Sequence, residues 1–200
     1  MLTIVDYGVS NIKSLCNALQ YLNYKFKIAN VEKDLLRSEK IILPGVGAFN
    51  VAIKNIKKNN LDLLIKNSFN KNIPILGICL GMQLLGRYSY ENGKNKGLNL
   101  VNGITKKFNL KKKLAVPHIG YNSISFNNKS RLFNKIENNS FFYFSNSYHF
   151  VAKENVVTSN CNYGGFFVSS IEKKNIYGVQ FHPEKSHKNG LQLLLNFIKL

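Results

Sequence analysis

The sequence predicts an α/β protein, a single domain whose central, mostly parallel sheet is flanked by helices and extended by antiparallel strands. Three observations carry this expectation. The 200 residues, 44% of them hydrophobic, suit one domain large enough to bury a core. The first half alternates short apolar runs with amphipathic stripes. The second half is a succession of short aromatic and β-branched runs separated by turn residues.

In chain order, Leu2–Asp6 is an apolar run closed by Tyr7-Gly8, a strand and its turn. Asn11–Leu22 places Ile12, Leu15, Cys16, Leu19 and Leu22 at helical spacing. Tyr24–Ala29 alternates apolar with basic residues as a strand does, and Lys40–Leu43 is a strand stopped by Pro44-Gly45. Phe49–Lys58 and Leu61–Phe69 read as helices. Ile73–Cys79 is a continuous apolar strand, and Gly81–Arg87 begins the next helix. Strands are then expected at Ile104–Phe108, Leu114–Val116, Tyr121–Phe126, Phe141–Phe150, Val156–Cys161, Phe166–Ile171 and Ile176–Phe181. Leu191–Leu200 closes the chain as an amphipathic helix. With no repeat and no Pro- or Ser-rich linker, residues 1–200 form one domain.

Composition narrows the function classes. The net charge of +18 comes from 28 basic and 10 acidic side chains, and only Arg37, Arg87 and Arg131 are arginine. Arginine is the better fork for bases and phosphates. Scattered lysine beside abundant asparagine reads as compositional drift, so no nucleic-acid partner is expected. The one dense cluster, Lys106-Lys107 with Lys111-Lys112-Lys113, reads as a solvated hairpin. No apolar run reaches the roughly 18 residues of a membrane span. Met1–Asp6 has no basic n-region, so it is not a signal peptide and a cytoplasmic location without membrane contact is expected. Cys16, Cys79 and Cys161 are widely spaced, which excludes a disulfide scaffold and fits a reducing compartment. Without CxxC or a His/Cys cluster, neither a metal nor a cofactor is expected.

The chemistry centres on Gly77-Ile78-Cys79-Leu80-Gly81, a G-x-nucleophile-x-G elbow with cysteine in the nucleophile's place, at a strand end where a helix begins. The turn lifts the sulfur above the C-terminal edge of the sheet, and the helix N-terminus favours a thiolate. Cys16, on a helical stripe, and Cys161, in a late strand, are packing residues. Gln180-Phe181-His182-Pro183-Glu184 supplies the base and its orienting group: His182 takes the thiol proton, and Glu184, linked through a stiff proline, holds the imidazole. His187 is expected at the surface; His149 follows an aromatic strand and is open to packing or binding. Pro44-Gly45-Val46-Gly47 ends a second parallel strand. It is either a plain tight turn or a source of backbone donors for an oxyanion, with Leu80 N–H as a second donor. It lacks the Lys-Ser/Thr of a phosphate loop.

Together these segments resemble the triad (class I) glutamine amidotransferases, and within them the glutaminase-subunit branch of imidazole glycerol phosphate synthase. The resemblance runs through Asp6-Tyr7-Gly8 with Asn11, Pro44–Phe49, Gly77–Leu85 with Met82-Gln83, Pro117–Asn122, Phe142–Phe144 with Ser147-Tyr148, and Tyr177–Ser186. It implies attack of Cys79 on the glutamine side-chain amide, with Cys79, His182 and Glu184 as triad. Donors from Val46-Gly47 and Leu80 would hold the oxyanion. Gln83, Glu91, Ser147 and Tyr148 are implied in glutamine binding. A separate (β/α)₈-barrel cyclase is implied as the partner that receives ammonia in histidine biosynthesis. Tyr121 and Asn146 stand where the family usually has tryptophan and histidine, near the partner interface. That leaves open a paralogue serving a sugar-amidating synthetase. A basic nucleic-acid-binding protein and a cysteine peptidase of the same superfamily are the other classes.

Overall fold

The structure is a computed structural model, and it describes residues 1–9, 12–31, 37–110, 114–126 and 130–200. Nine strands form one sheet. They are β1 (Leu2–Val5), β2 (Phe26–Ala29), β3 (Lys40–Leu43), β4 (Ile75–Ile78), β8 (His118–Phe126), β9 (Phe141–Asn146), β11 (Val157–Asn162), β12 (Phe166–Lys173) and β13 (Ile176–Val179). Their order is β2-β1-β3-β4-β13-β12-β11-β8-β9. The pairs from β2 to β13 are parallel, and the pairs from β13 to β9 are antiparallel. The expected mixed sheet is therefore present, parallel at one end and antiparallel at the other.

The central strands β1, β4 and β13 are buried along their whole length, which explains their unbroken apolar runs. Side chains alternate between two cores. Leu2, Ile4, Ile42, Leu76 and Ile78 face α1 (Ile12–Tyr21) and α5 (His187–Ile198) through Leu15, Leu19, Leu194 and Phe197. Val5, Ile41, Leu43 and Ile75 face α2 (Phe49–Lys58) and α3 (Leu61–Asn70) through Phe49, Ile56, Leu61 and Ile65. No helix among the described residues is long and apolar enough to cross a membrane. No cluster of His, Cys, Asp or Glu among them could hold a metal ion.

Four expectations need correction. The helix after Cys79, α4, spans only Leu80–Leu84 and does not reach Arg87. Leu85 and Gly86 close it with bonds to the Met82 and Gln83 carbonyls, and Gly86 lies against the Phe150 ring. Two short strands then follow that the alternation rule did not find, β5 (Tyr88–Ser89) and β6 (Asn95–Lys96). Leu114–Val116 is exposed and forms no strand. The expected strand Phe141–Phe150 breaks at Ser147: β9 stays in the large sheet, while β10 (Tyr148–Ala152) pairs with β7 (Gly103–Lys107) in a four-stranded sheet of order β10-β7-β5-β6. Lys106 and Lys107 sit on β7, opposite His149 and Tyr148. Asn11 and Lys111–Lys113 lie outside the described residues.

Candidate active site

Chain topology brings the thiol and the base together. β4 and β13 are parallel neighbours with Ile78 opposite Val179, and Cys79 N–H donates to Val179 O at 2.7 Å. The chain leaving β4 at Cys79 and the chain leaving β13 toward His182 thus emerge side by side at one sheet edge. On the other flank β3 pairs with β4, Leu43 opposite Gly77, so Pro44–Gly47 reaches the same edge. All three segments come from strand ends, although just over half the chain's length separates Cys79 from His182.

Cys79 has φ 53° and ψ −109°, a left-handed conformation uncommon for a side-chain-bearing residue. The elbow is held by close approach on both sides. A Cβ on Gly81 would overlap the Leu43 carbonyl oxygen, and one on Gly77 would lie 2.7 Å from the Gly81 backbone. Neither neighbour is a side chain that could swing away. The flanking glycines are therefore required by packing of strand against turn.

His182 Nδ1 lies 2.8 Å from Glu184 Oε1, with both side chains almost fully buried. The carboxylate accepts the Nδ1–H, which leaves Nε2 for the sulfur. Nε2 has no hydrogen-bond partner of ordinary geometry. Burial alone would pull the imidazole down. The charge of Cys79, a hydrogen-bonding interaction with it, and the bond and charge of Glu184 outweigh burial and push His182 up to about 10. The loop is anchored at its ends: His182 N–H donates to Tyr143 O at 2.8 Å, and Ser186 Oγ–H donates to His182 O at 2.6 Å. Cys161 is buried and pushed up to about 12 by burial, and Cys16 is raised by burial too. Neither belongs to this edge.

The expected oxyanion donors are arranged unequally. Val46 N–H donates to Val9 O at 3.3 Å, so it is committed elsewhere and does not point at a reacting oxygen. In this arrangement the Val46 N–H is turned toward Val9 and away from the cleft. Gly47 has φ +97°, and a Cβ there would meet nothing within 4 Å. Beneath the turn, the Tyr7 hydroxyl is fully buried and donates to Pro44 O. Burial first, then the charges of Cys79 and Asp6, holds this phenol well above its ordinary range.

A cleft of about 460 Å³ opens at the sulfur, lined by Val46, Gly47, Ala48, Cys79, Leu80, Gln83, Glu91, Pro117 and Ser145–Tyr148. The break at Ser147 is what places the last of these segments over it. Gln83 is buried and its Nε2 donates to Tyr148 O at 3.0 Å. Glu91 is half-buried and accepts Phe49 N–H at 2.9 Å. Asn146 is 5% exposed, lines the cleft and donates from Nδ2 to Tyr148 O. Tyr121, 46% exposed, lies outside the cleft; its hydroxyl donates to Lys185 O at 2.7 Å and its ring stacks on the exposed His187. His149 stacks on Phe108 in a cluster of rings, away from the sulfur. One residue escaped the sequence reading: Gln180, whose side chain touches both Cys79 and Gln83. Its place two residues before His182 was the available signal.

Comparison with known proteins places the chain among glutamine amidotransferases. The family model for glutamine amidotransferase class-I matches residues 3–200. The chain is 42% identical to imidazole glycerol phosphate synthase subunit HisH of Leptospira borgpetersenii, covering all of both chains. It is 43% identical to subunit HisH 2 of Methanococcus maripaludis, covering 100% of this chain and 99% of that one. Among solved structures, PurLQS from Thermotoga maritima superposes with a TM-score of 0.77 at 18% identity, covering 99% of this chain and 97% of that one. A glutamine amidotransferase from the same organism gives 0.69 at 14% identity, covering 99% of this chain and 82% of that one. These two likenesses concern the fold.

Proposed function

This chain belongs to the class-I glutamine amidotransferase family, and from that premise we propose that it is the glutamine-hydrolysing subunit of an imidazole glycerol phosphate synthase, delivering ammonia to a separate cyclase subunit in histidine biosynthesis. The observation that carries the chemistry is the parallel pairing of β4 with β13, which sets Cys79 beside the His182–Glu184 pair at the mouth of the cleft. The Cys79 thiolate attacks the glutamine side-chain carbonyl, and the carbonyl electrons move onto oxygen. Imidazolium His182 gives its proton to the departing ammonia, leaving a γ-glutamyl thioester. Neutral His182 then takes a proton from water, which attacks the thioester and releases glutamate and the thiolate. Glu184 keeps the ring oriented throughout. Leu80 and Gly47 offer backbone donors to the oxyanion, and Val46 joins them when its bond to Val9 O is released. Gln83, Glu91, Ser147 and Tyr148 hold the amino-acid end of the substrate.

The committed Val46 N–H supports a subunit that idles until a partner rearranges the turn. A second reading rests on Tyr121 and Asn146, which replace the tryptophan and histidine usual near the partner interface: a paralogue feeding a sugar-amidating synthetase. One experiment addresses both. The purified chain is mixed with the cyclase subunit of the source cell, and glutamate release and product formation are followed. Cys79→Ala should abolish product from glutamine while sparing product from free ammonium. Glutamine-dependent product surviving that change would overturn the catalytic assignment. A wild-type chain that never activates with the cyclase, but does with a sugar-amidating synthetase, would select the paralogue.

A further inference from the structure

Gln180 is fully buried, so its amide must be satisfied by protein groups. Its Oε1 accepts from Gln83 Nε2 at 3.1 Å, and its Nε2 faces Cys79 Sγ at 3.6 Å. The orientation of both amides follows from one backbone group. Tyr148 O can only accept, so the Gln83 atom 3.0 Å from it must be nitrogen. That nitrogen also meets Gln180, whose facing atom must then be oxygen. The remaining atom of the Gln180 amide, the one against the sulfur, is therefore the N–H₂ group. The backbone on which it sits is pinned too, since Gln180 N–H donates to Ser169 O at 2.9 Å.

We propose that Gln180 is a further catalytic residue: its side-chain N–H donates to the Cys79 sulfur and holds it poised for attack, while its carbonyl locks Gln83 in place. Gln180 and His182, two residues apart in the segment that leaves β13, both act on the same sulfur. A charge-assisted bond of this kind favours the thiolate over the thiol. It weakens when the sulfur acylates and loses its charge, and returns when the thiolate is expelled from the thioester. No bond beyond those of the proposed reaction is made or broken. Through Gln83 and Tyr148 O, the same amide ties the nucleophile to the wall of the cleft opposite it. The inference rests on the assignment of Cys79 as nucleophile, not on the pathway.

The test is alkylation of Cys79 by iodoacetamide between pH 6 and 9, quantified by peptide mass spectrometry, with burial of Cys161 reporting the fold in the same sample. Gln180→Leu removes the donor, and Gln180→Glu keeps the shape and the acceptor for Gln83 but sets a carboxylate against the sulfur. Alkylation at pH 7 should fall about tenfold in Gln180→Leu and at least as far in Gln180→Glu, with both profiles displaced to higher pH. Either variant that folds suffices. Alkylation within twofold of wild type in a folded variant overturns the proposal. Loss of the fold in both variants overturns it as well, since it would assign Gln180 to core packing. Iodoacetamide requires neither glutamine nor a partner. A clear alkylation defect beside a chain that never hydrolyses glutamine would therefore sink the proposed function alone.

Discussion

The Glu91 carboxylate accepts the backbone N–H of Phe49 at 2.9 Å, across 42 residues of sequence. Phe49 is the first residue of α2, the helix that begins where the Pro44–Gly47 turn ends. Ala48, at the N-cap position, has no side chain to cap it. Glu91 does so from a distance, placing a negative charge at the positive end of the helix. The residue implied in substrate binding is thus also the support of the helix that follows the Pro44–Gly47 turn.

This double role separates two variants. Glu91→Gln keeps an acceptor for Phe49 N–H but loses the charge that would meet the substrate's ammonium. It should melt close to wild type with KM for glutamine raised about tenfold. Glu91→Ala loses both and should also cost about 1 kcal/mol of stability. Thermal melts beside steady-state kinetics with the activating partner check this. Equal melting of the two variants would remove Glu91 from the helix cap.

Tyr7 supports the turn from below. Its buried hydroxyl donates to Pro44 O, and a Cβ on Gly45 would run into the same hydroxyl. Tyr7→Phe leaves the Pro44 carbonyl without that donor, at a cost of about 1–3 kcal/mol. Since the ring fills the same space, the turn should loosen without collapsing, and kcat should fall more than KM changes. Denaturant unfolding and partner-activated kinetics measure the two effects. An unaltered unfolding midpoint would mean that water or a shifted backbone replaces the bond.

How much of this was legible in the sequence depends on how local each feature is. The elbow is written in five consecutive residues, and His182 and Glu184 lie two apart, so both units stood out. Their meeting depends on β4 pairing with β13, a contact between distant segments for which only the motif resemblance argued. Gln180 escaped because a buried glutamine beside a strand has no pattern of its own; its role exists only where Cys79 and Gln83 converge. The commitment of Val46 N–H to Val9 O is equally invisible, since composition cannot tell which way a peptide faces. The break at Ser147 was hidden because β9 and β10 are both aromatic runs and differ only in the sheet that each joins.

Glu184 should matter most through the proton on His182. Glu184→Gln cannot hold the imidazolium by charge, so partner-activated kcat should drop on the order of 10²-fold or more. The stability consequence has a definite sign. His182 is raised in the folded chain to about 10, above the unfolded value near 6.5. Its contribution is thus complete below about pH 6.5 and is lost as pH rises toward 10. The gap in urea midpoint between wild type and Glu184→Gln should be widest near pH 6 and narrow toward pH 10. A gap that widened over that range would contradict a protonated His182.

A second buried histidine has the opposite sign. His118 lies between the Tyr163 and Phe144 rings, at centroid distances of 3.9 and 4.8 Å, and burial lowers its imidazole to about 4. The folded chain therefore keeps it neutral while the unfolded chain binds a proton below about pH 6.5. Stability should fall as pH drops from 6.5 to about 4, by an amount on the order of 3 kcal/mol. His118→Phe preserves the ring stack and removes the titration. It also gives up the contact between His118 Nε2 and Asn122 Nδ2 at 3.2 Å, a uniform loss across the pH range. Carboxylates titrate alike in both chains, so the difference between their urea midpoints isolates the histidine: the wild type should lose ground to the variant steadily through this window. Parallel curves would show that His118 reaches solvent when it protonates, and that its ring stack does not exclude the charge.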